Sequence, residues 1–173
     1  MLVAIVVGVL VVAGVNRRAA APAVFRAPQP DIAGAFSQVG FQILSPAGMA
    51  VSPAEGCVLA ADTPEQRATG LMTVTDLGSY AGMVFRYQED TDGSFYMKNT
   101  PMPLSIAWFD GQGRYVSSTD MDPCGNVDSC PLYGPEGPYR TALEVPQGQL
   151  ADLGVQEGSR LVLQGDCRTP VTR

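Results

Sequence analysis

The segment Leu104-Ser105-Ile106-Ala107-Trp108-Phe109 carries apolar side chains at both parities, Leu104, Ile106 and Trp108 on one and Ala107 and Phe109 on the other. In an extended chain these two sets point to opposite sides. Such a strand has to be covered on both faces, so it belongs in the middle of a sheet with packed material above and below it. Further strands are expected at 58–61, 82–87, 94–99, 114–119, 141–145 and 160–164, separated by Gly, Pro and Asp turn signals such as Asp110-Gly111-Gln112-Gly113. The four successive candidates from 82 to 119 predict an antiparallel meander.

Two short helices interrupt the strands. Thr63 is placed to cap the first, with Pro64 at its first position, Gln66 completing a capping box and Gly70 ending it. The second is expected over 148–153, ended by Gly154. With 173 residues and 46% apolar content the chain can bury one ordinary core. The expected architecture is mostly β, a small antiparallel β-sandwich or partly open barrel with two short helices.

The chain opens on an uncharged run from Leu2 to Val15, followed by Arg17, Arg18 and small residues at Ala19, Ala21 and Ala23. This length suits a signal-peptide hydrophobic region or a short membrane anchor over 1–23. The two arginines follow the apolar run instead of preceding it, as they would if a basic region lay upstream of Met1. Residues 24–54, with Pro28, Pro30, Pro46 and Pro53, read as an Ala/Pro-rich tether in which 41–44 adds a short strand. The folded domain is expected at 55–168, with a tail at 169–173.

Four cysteines allow three pairings. Cys57 and Cys167 begin and end the domain, whereas Cys124 and Cys130 flank a short polar loop. The expected bridges are therefore Cys57 to Cys167 and Cys124 to Cys130. The longer would stabilise by about 4 to 5 kcal/mol in the chain-entropy model. Paired C-x2-C spacing is missing, so a four-thiolate metal site is not the expectation. Disulfides place the protein in an extracytoplasmic compartment, secreted or tethered through the N-terminal segment.

A net charge of −6 argues against a nucleic-acid partner, which would need clustered cations on the phosphates. Histidine is absent, which removes imidazole zinc sites and histidine-dependent serine triads. No cofactor and no metal is called for by the remaining residues. Met72, Met83, Met97 and Met102 could be thioether ligands for Cu(I), but flexible thioethers commonly fill core gaps.

Lys98, the only lysine beside ten arginines, lies in Phe95-Tyr96-Met97-Lys98-Asn99-Thr100-Pro101. Strand alternation would put Tyr96, Lys98 and Thr100 together, facing solvent or a groove. An ammonium, the Asn99 amide and the Tyr96 ring could receive a small anionic or hydroxylated molecule. Tyr133 and Arg140, with Tyr139, flank the cysteine loop and could add stacking or a carboxylate clamp. The plainer expectation is an ion pair between Lys98 and Glu144 or Asp110. Glu144 with Asp62 could also form an acid pair of the glycosidase kind.

The ordered motifs Leu59-Ala60-Ala61-Asp62-Thr63-Pro64-Glu65, Gly70-Leu71-Met72, Gly82-Met83-Val84-Phe85, Phe95-Tyr96-Met97-Lys98-Asn99-Thr100, Pro103-Leu104, Pro123-Cys124, Cys130-Pro131 and Leu143-Glu144-Val145-Pro146 resemble the DUF192 family. The resemblance implies a compact β domain, frequently exported or lipoprotein-attached in bacteria, with no agreed substrate. Relatives usually carry arginine at the position of Val74 and aspartate at that of Ser105. The joint loss would fit a salt bridge in relatives, or two residues lining a common site. Three functions are open at this point: a non-catalytic module binding a small ligand or cell-envelope component, a hydrolase or lyase acting on an envelope sugar or peptide with Lys98 or Glu144 as the proton-transfer group, and a structural or assembly factor.

Overall fold

The computed structural model describes residues 34–51 and 56–167. The expected signal or anchor segment, the first part of the tether and the tail lie outside these residues. Nine strands and two helices follow in the order β1 (Ser37–Leu44), β2 (Gly56–Ala61), α1 (Pro64–Thr69), β3 (Gly82–Thr91), β4 (Phe95–Tyr96), β5 (Leu104–Phe109), β6 (Tyr115–Met121), β7 (Leu132–Tyr133), β8 (Tyr139–Pro146), α2 (Gln149–Asp152) and β9 (Arg160–Asp166). Seven of the strands form one sheet in the order β6-β5-β8-β3-β2-β1-β9, and β4 pairs with β7 in a small second sheet.

The fold is mostly β, and the large sheet curls into a half-barrel. Its two edge strands meet at one end, where Tyr115 N–H donates to Ser159 O at 3.0 Å and Leu161 N–H to Gly113 O at 2.8 Å. Gly113 makes this closure possible, because its φ is +75° and a Cβ there would collide with the Leu161 carbonyl. The concave face packs Phe41, Ile43, Val58, Val84, Phe109 and Leu143. On the other face Leu59, Met83, Phe85, Ile106 and Trp108 are covered by Leu71, Leu77, Phe95 and Met97. All six residues of β5 are buried, as its two-sided apolar pattern requires.

The expected meander is not present. β3 lies beside β2 in parallel and beside β8 antiparallel, and of the strands from 82 to 121 only β5 and β6 pair as sequence neighbours. A parallel pair needs a crossover, and α1 with residues 70–81 provides one, laying Leu71 and Leu77 over the sheet. The strand expected at 94–99 shrinks to Phe95–Tyr96, because the chain turns with Thr100 N–H donating to Met97 O at 3.0 Å and Asn99 at φ +56°. Pro101 and Pro103 then prevent resumed pairing until Leu104.

The folded region also starts earlier than residue 55. Residues 37–44, expected within the tether, form a full strand between β2 and β9 that buries Phe41 and Ile43. The helix-start chemistry of α1 is as expected: Thr63 accepts from Gln66 N–H, and the Gln66 side chain accepts from Thr63 N–H. Both bridges form as expected, Cys57 with Cys167 and Cys124 with Cys130. The first joins the β2 end to the chain just beyond β9.

Candidate functional site

Glu144 lies on β8, between β3 and β5, with Met83 and Ile106 as its cross-strand partners. Alternation along β8 sends Leu143 and Val145 into the concave core, and Glu144 therefore faces the opposite side with Ala142, Met83 and Ile106. Its surroundings are apolar, and the residue is only 5% exposed. Loss of hydration pushes its carboxyl up to about 8, so at neutral pH it is mainly a carboxylic acid and a hydrogen-bond donor. Among the described residues nothing bonds to its side chain.

A cleft of about 110 Å³ opens over Glu144. The end of α1 and the turn after it, from Arg67 to Met72, form one wall, and Phe85, Tyr87, Ser94, Phe95, Tyr96 and Thr100 form the rest. Arg67 is held in place by three contacts. Its Nη1 donates to the carbonyls of Asp62 at 2.7 Å and Arg86 at 3.0 Å, and its guanidinium lies 4.7 Å from the centre of the Tyr87 ring. The cleft thus combines a neutral acid at its floor, a cation in its wall and several hydroxyls.

Lys98 belongs to a second, shallower groove of about 220 Å³, lined by Tyr96, Lys98, Val127, Asp128, Cys130 and Leu132. Its ammonium pairs with Asp128 at 2.6 Å, and not with either acid expected for it. Asp110 is taken by Arg114 at 2.7 Å, and Glu144 is buried under the other cleft. The Asp128 side chain is 98% exposed, so this pair is a surface contact of small energetic worth. Tyr96 borders both cavities.

The remaining candidates are dispersed. Asn99 takes the left-handed turn and is bound through its backbone, accepting from Thr73 N–H and donating to Gly125 O. Tyr133 packs against the sheet cluster, and its hydroxyl accepts from Asp122 N–H at 3.2 Å. Arg140 pairs with Asp90 at 2.9 Å and lines neither cavity. Asp62 is bonded by Arg86 through both oxygens, at 2.5 and 2.6 Å, so it forms no acid pair with Glu144. Met83 and Met97 are buried in the core, and Met102 packs against it.

Arg67 was missed by sequence reasoning. The only signal for it is its position at the end of a well-capped helix between two family motifs. Val74 and Ser105 lie on opposite sides of the sheet, which rules out a direct pair between these positions: Val74 packs on the Glu144 side, whereas Ser105 alternates with Leu104 and Ile106. Ser105 instead donates to Asp120 Oδ1 at 2.5 Å and accepts from Gly148 N–H at 2.9 Å. Neither position lines the cleft.

Comparison with known proteins gives a family match over residues 50–163, to DUF192, described as "Uncharacterized ACR". The chain belongs to the DUF192 family. Two solved structures share the fold of this DUF192 domain. One, from Sinorhizobium meliloti 1021 and provisionally named a transcription regulator, is 23% identical with a TM-score of 0.63, covering 74% of this chain and 95% of that one. The other, a protein of unknown function from Novosphingobium aromaticivorans DSM 12444, is 26% identical with a TM-score of 0.62, covering 83% and 94%. No curated protein matches the chain.

Proposed function

We propose that this DUF192 protein is a non-catalytic, extracytoplasmic binding module that holds a small polar ligand, or one unit of a cell-envelope component, over Glu144. One observation carries this reading: an almost wholly buried glutamate, its carboxyl without a protein partner among the described residues, at the floor of an open cleft. Buried polar groups are nearly always hydrogen-bonded, and an orphan facing a cavity is poised for a partner that arrives from outside. The two disulfides support an oxidising compartment. The net charge of −6 supports partners other than nucleic acid.

Binding is favoured over hydrolysis by the content of the cleft. Glycoside hydrolysis ordinarily uses two carboxyl groups flanking the scissile bond. Here Glu144 is the one carboxyl among the lining residues. A ligand longer than the cleft would leave it past Tyr96 and reach the groove of Lys98 and Leu132.

A thermal-shift screen of the protein against envelope sugars and organic acids, run beside Glu144→Leu, tests the proposal. The expected result is a stabilising compound whose effect disappears in the variant and which is recovered unchanged. Stabilising compounds that act equally on both proteins, or turnover of the bound compound, would reject it.

A further inference from the structure

Arg67 differs from most of the other cations among the described residues, and unlike Arg160, which also forms no ion pair there, it lines a cleft. Arg86, Lys98, Arg114 and Arg140 each pair with an aspartate. Arg67 makes no direct ion pair among the described residues, although its charge helps to hold the Asp62 and Glu65 carboxyls low, and it lines the same cleft as Glu144. Its Nη1 is consumed by two backbone carbonyls and its plane is fixed over Tyr87. Nε and Nη2, which lie on one edge of the guanidinium, are left without a partner among the described residues. Two parallel N–H groups on one edge match the two oxygens of a carboxylate.

We infer that the ligand of the cleft is a small hydroxylated carboxylate, a sugar acid or hydroxy acid, with its carboxylate on the Nε/Nη2 edge of Arg67 and a hydroxyl or carbonyl oxygen at Glu144. This rests on the cleft being the ligand site. The polarity of the two ends fixes the class. An ammonium ligand would meet the guanidinium with like charge. A phosphate dianion would find one cation and no second one among the lining residues, in a protein of net charge −6. A carboxylate uses the free edge fully, and the hydroxyls of Ser94 and Tyr96, which bond to nothing else among the described residues, can take the ligand's own hydroxyls. The cleft's size limits the bound part to one sugar-sized unit.

Calorimetric titration of the wild-type protein with galacturonate, galactose and galactose 6-phosphate, and with glucuronate beside glucose, tests the assignment without any substitution. Each sugar acid should bind at least about tenfold more tightly than its neutral counterpart and than the sugar phosphate. Arg67→Met should abolish this preference and Arg67→Lys restore part of it, while Glu144→Gln should weaken acid and neutral sugar alike. Because the wild-type comparison stands alone, a folding defect in an Arg67 variant does not obscure the outcome. Equal affinity for acid and neutral sugar, tighter binding of the phosphate, or no binding of any sugar acid or of lactate and tartrate overturns the carboxylate assignment. The cleft itself is rejected only if bound compounds are indifferent to Glu144.

Discussion

Replacing Glu144 by glutamine should make the protein more stable at neutral pH and leave it nearly unchanged in mild acid. The buried carboxyl is pushed from an ordinary value of 4.5 to about 8 by loss of hydration. Between these two values the folded chain keeps a proton that the unfolded chain has lost, so stability falls as pH rises. The full loss, reached only above pH 8, is about 5 kcal/mol, of which about 3 kcal/mol is already incurred at pH 7. Glutamine has nearly the same shape and never ionises, so it escapes this loss. Asp62, held low by its bond to Arg86, works in the opposite direction, its contribution disappearing as pH falls, and it is common to both proteins. Urea denaturation of the two proteins at pH 4.5, 6, 7 and 8 isolates Glu144 as the difference between the curves. The variant should gain about 3 kcal/mol at pH 7, large beside a typical total of about 5 to 15 kcal/mol. Parallel curves across this range would mean that Glu144 titrates like an exposed acid, and its burial at the floor of the cleft would be refuted.

Lys98→Met should change stability by less than about 1 kcal/mol, because its partner Asp128 is almost fully exposed; a loss above about 2 kcal/mol in denaturant titration would show that the ion pair anchors the loop. Replacing Cys57 and Cys167 together by serine should cost about 4 kcal/mol and lower the midpoint of unfolding far more than replacing Cys124 and Cys130, and equal effects would contradict the loop-length argument. Gly82→Ala should destabilise by about 2 to 3 kcal/mol, since its Cβ would overlap the Glu144 carbonyl across the β3–β8 pair; a neutral result would mean that these strands separate readily.

The parts of the fold legible in the sequence are those set by local chemistry. The two-sided burial of Leu104 to Phe109, the Thr63-Pro64-Gln66 start of α1 and the Asp110-Gly113 turn all follow from short-range rules. Strand order does not, because the parallel placement of β3 beside β2 depends on how residues 70–81 cross the sheet. β1 was underestimated since Pro and Ala around it suggest a tether, although Phe41 and Ile43 become core once β2 and β9 flank them. Glu144 was visible as a candidate, but its isolation was not: alternation on β8 places it on an apolar face, and only the sheet register shows that no cation stands opposite. Lys98 drew attention by rarity and setting, yet its partner lies in a loop thirty positions away that no periodicity predicts.

Backbone amide shifts followed by NMR during titration with galacturonate locate the ligand most directly. Perturbations centred on residues 67–72, 85–87, 94–96 and 144 are the predicted result. Perturbations confined to 127–132 around Lys98, or none at saturating galacturonate, would contradict a carboxylate site over Glu144.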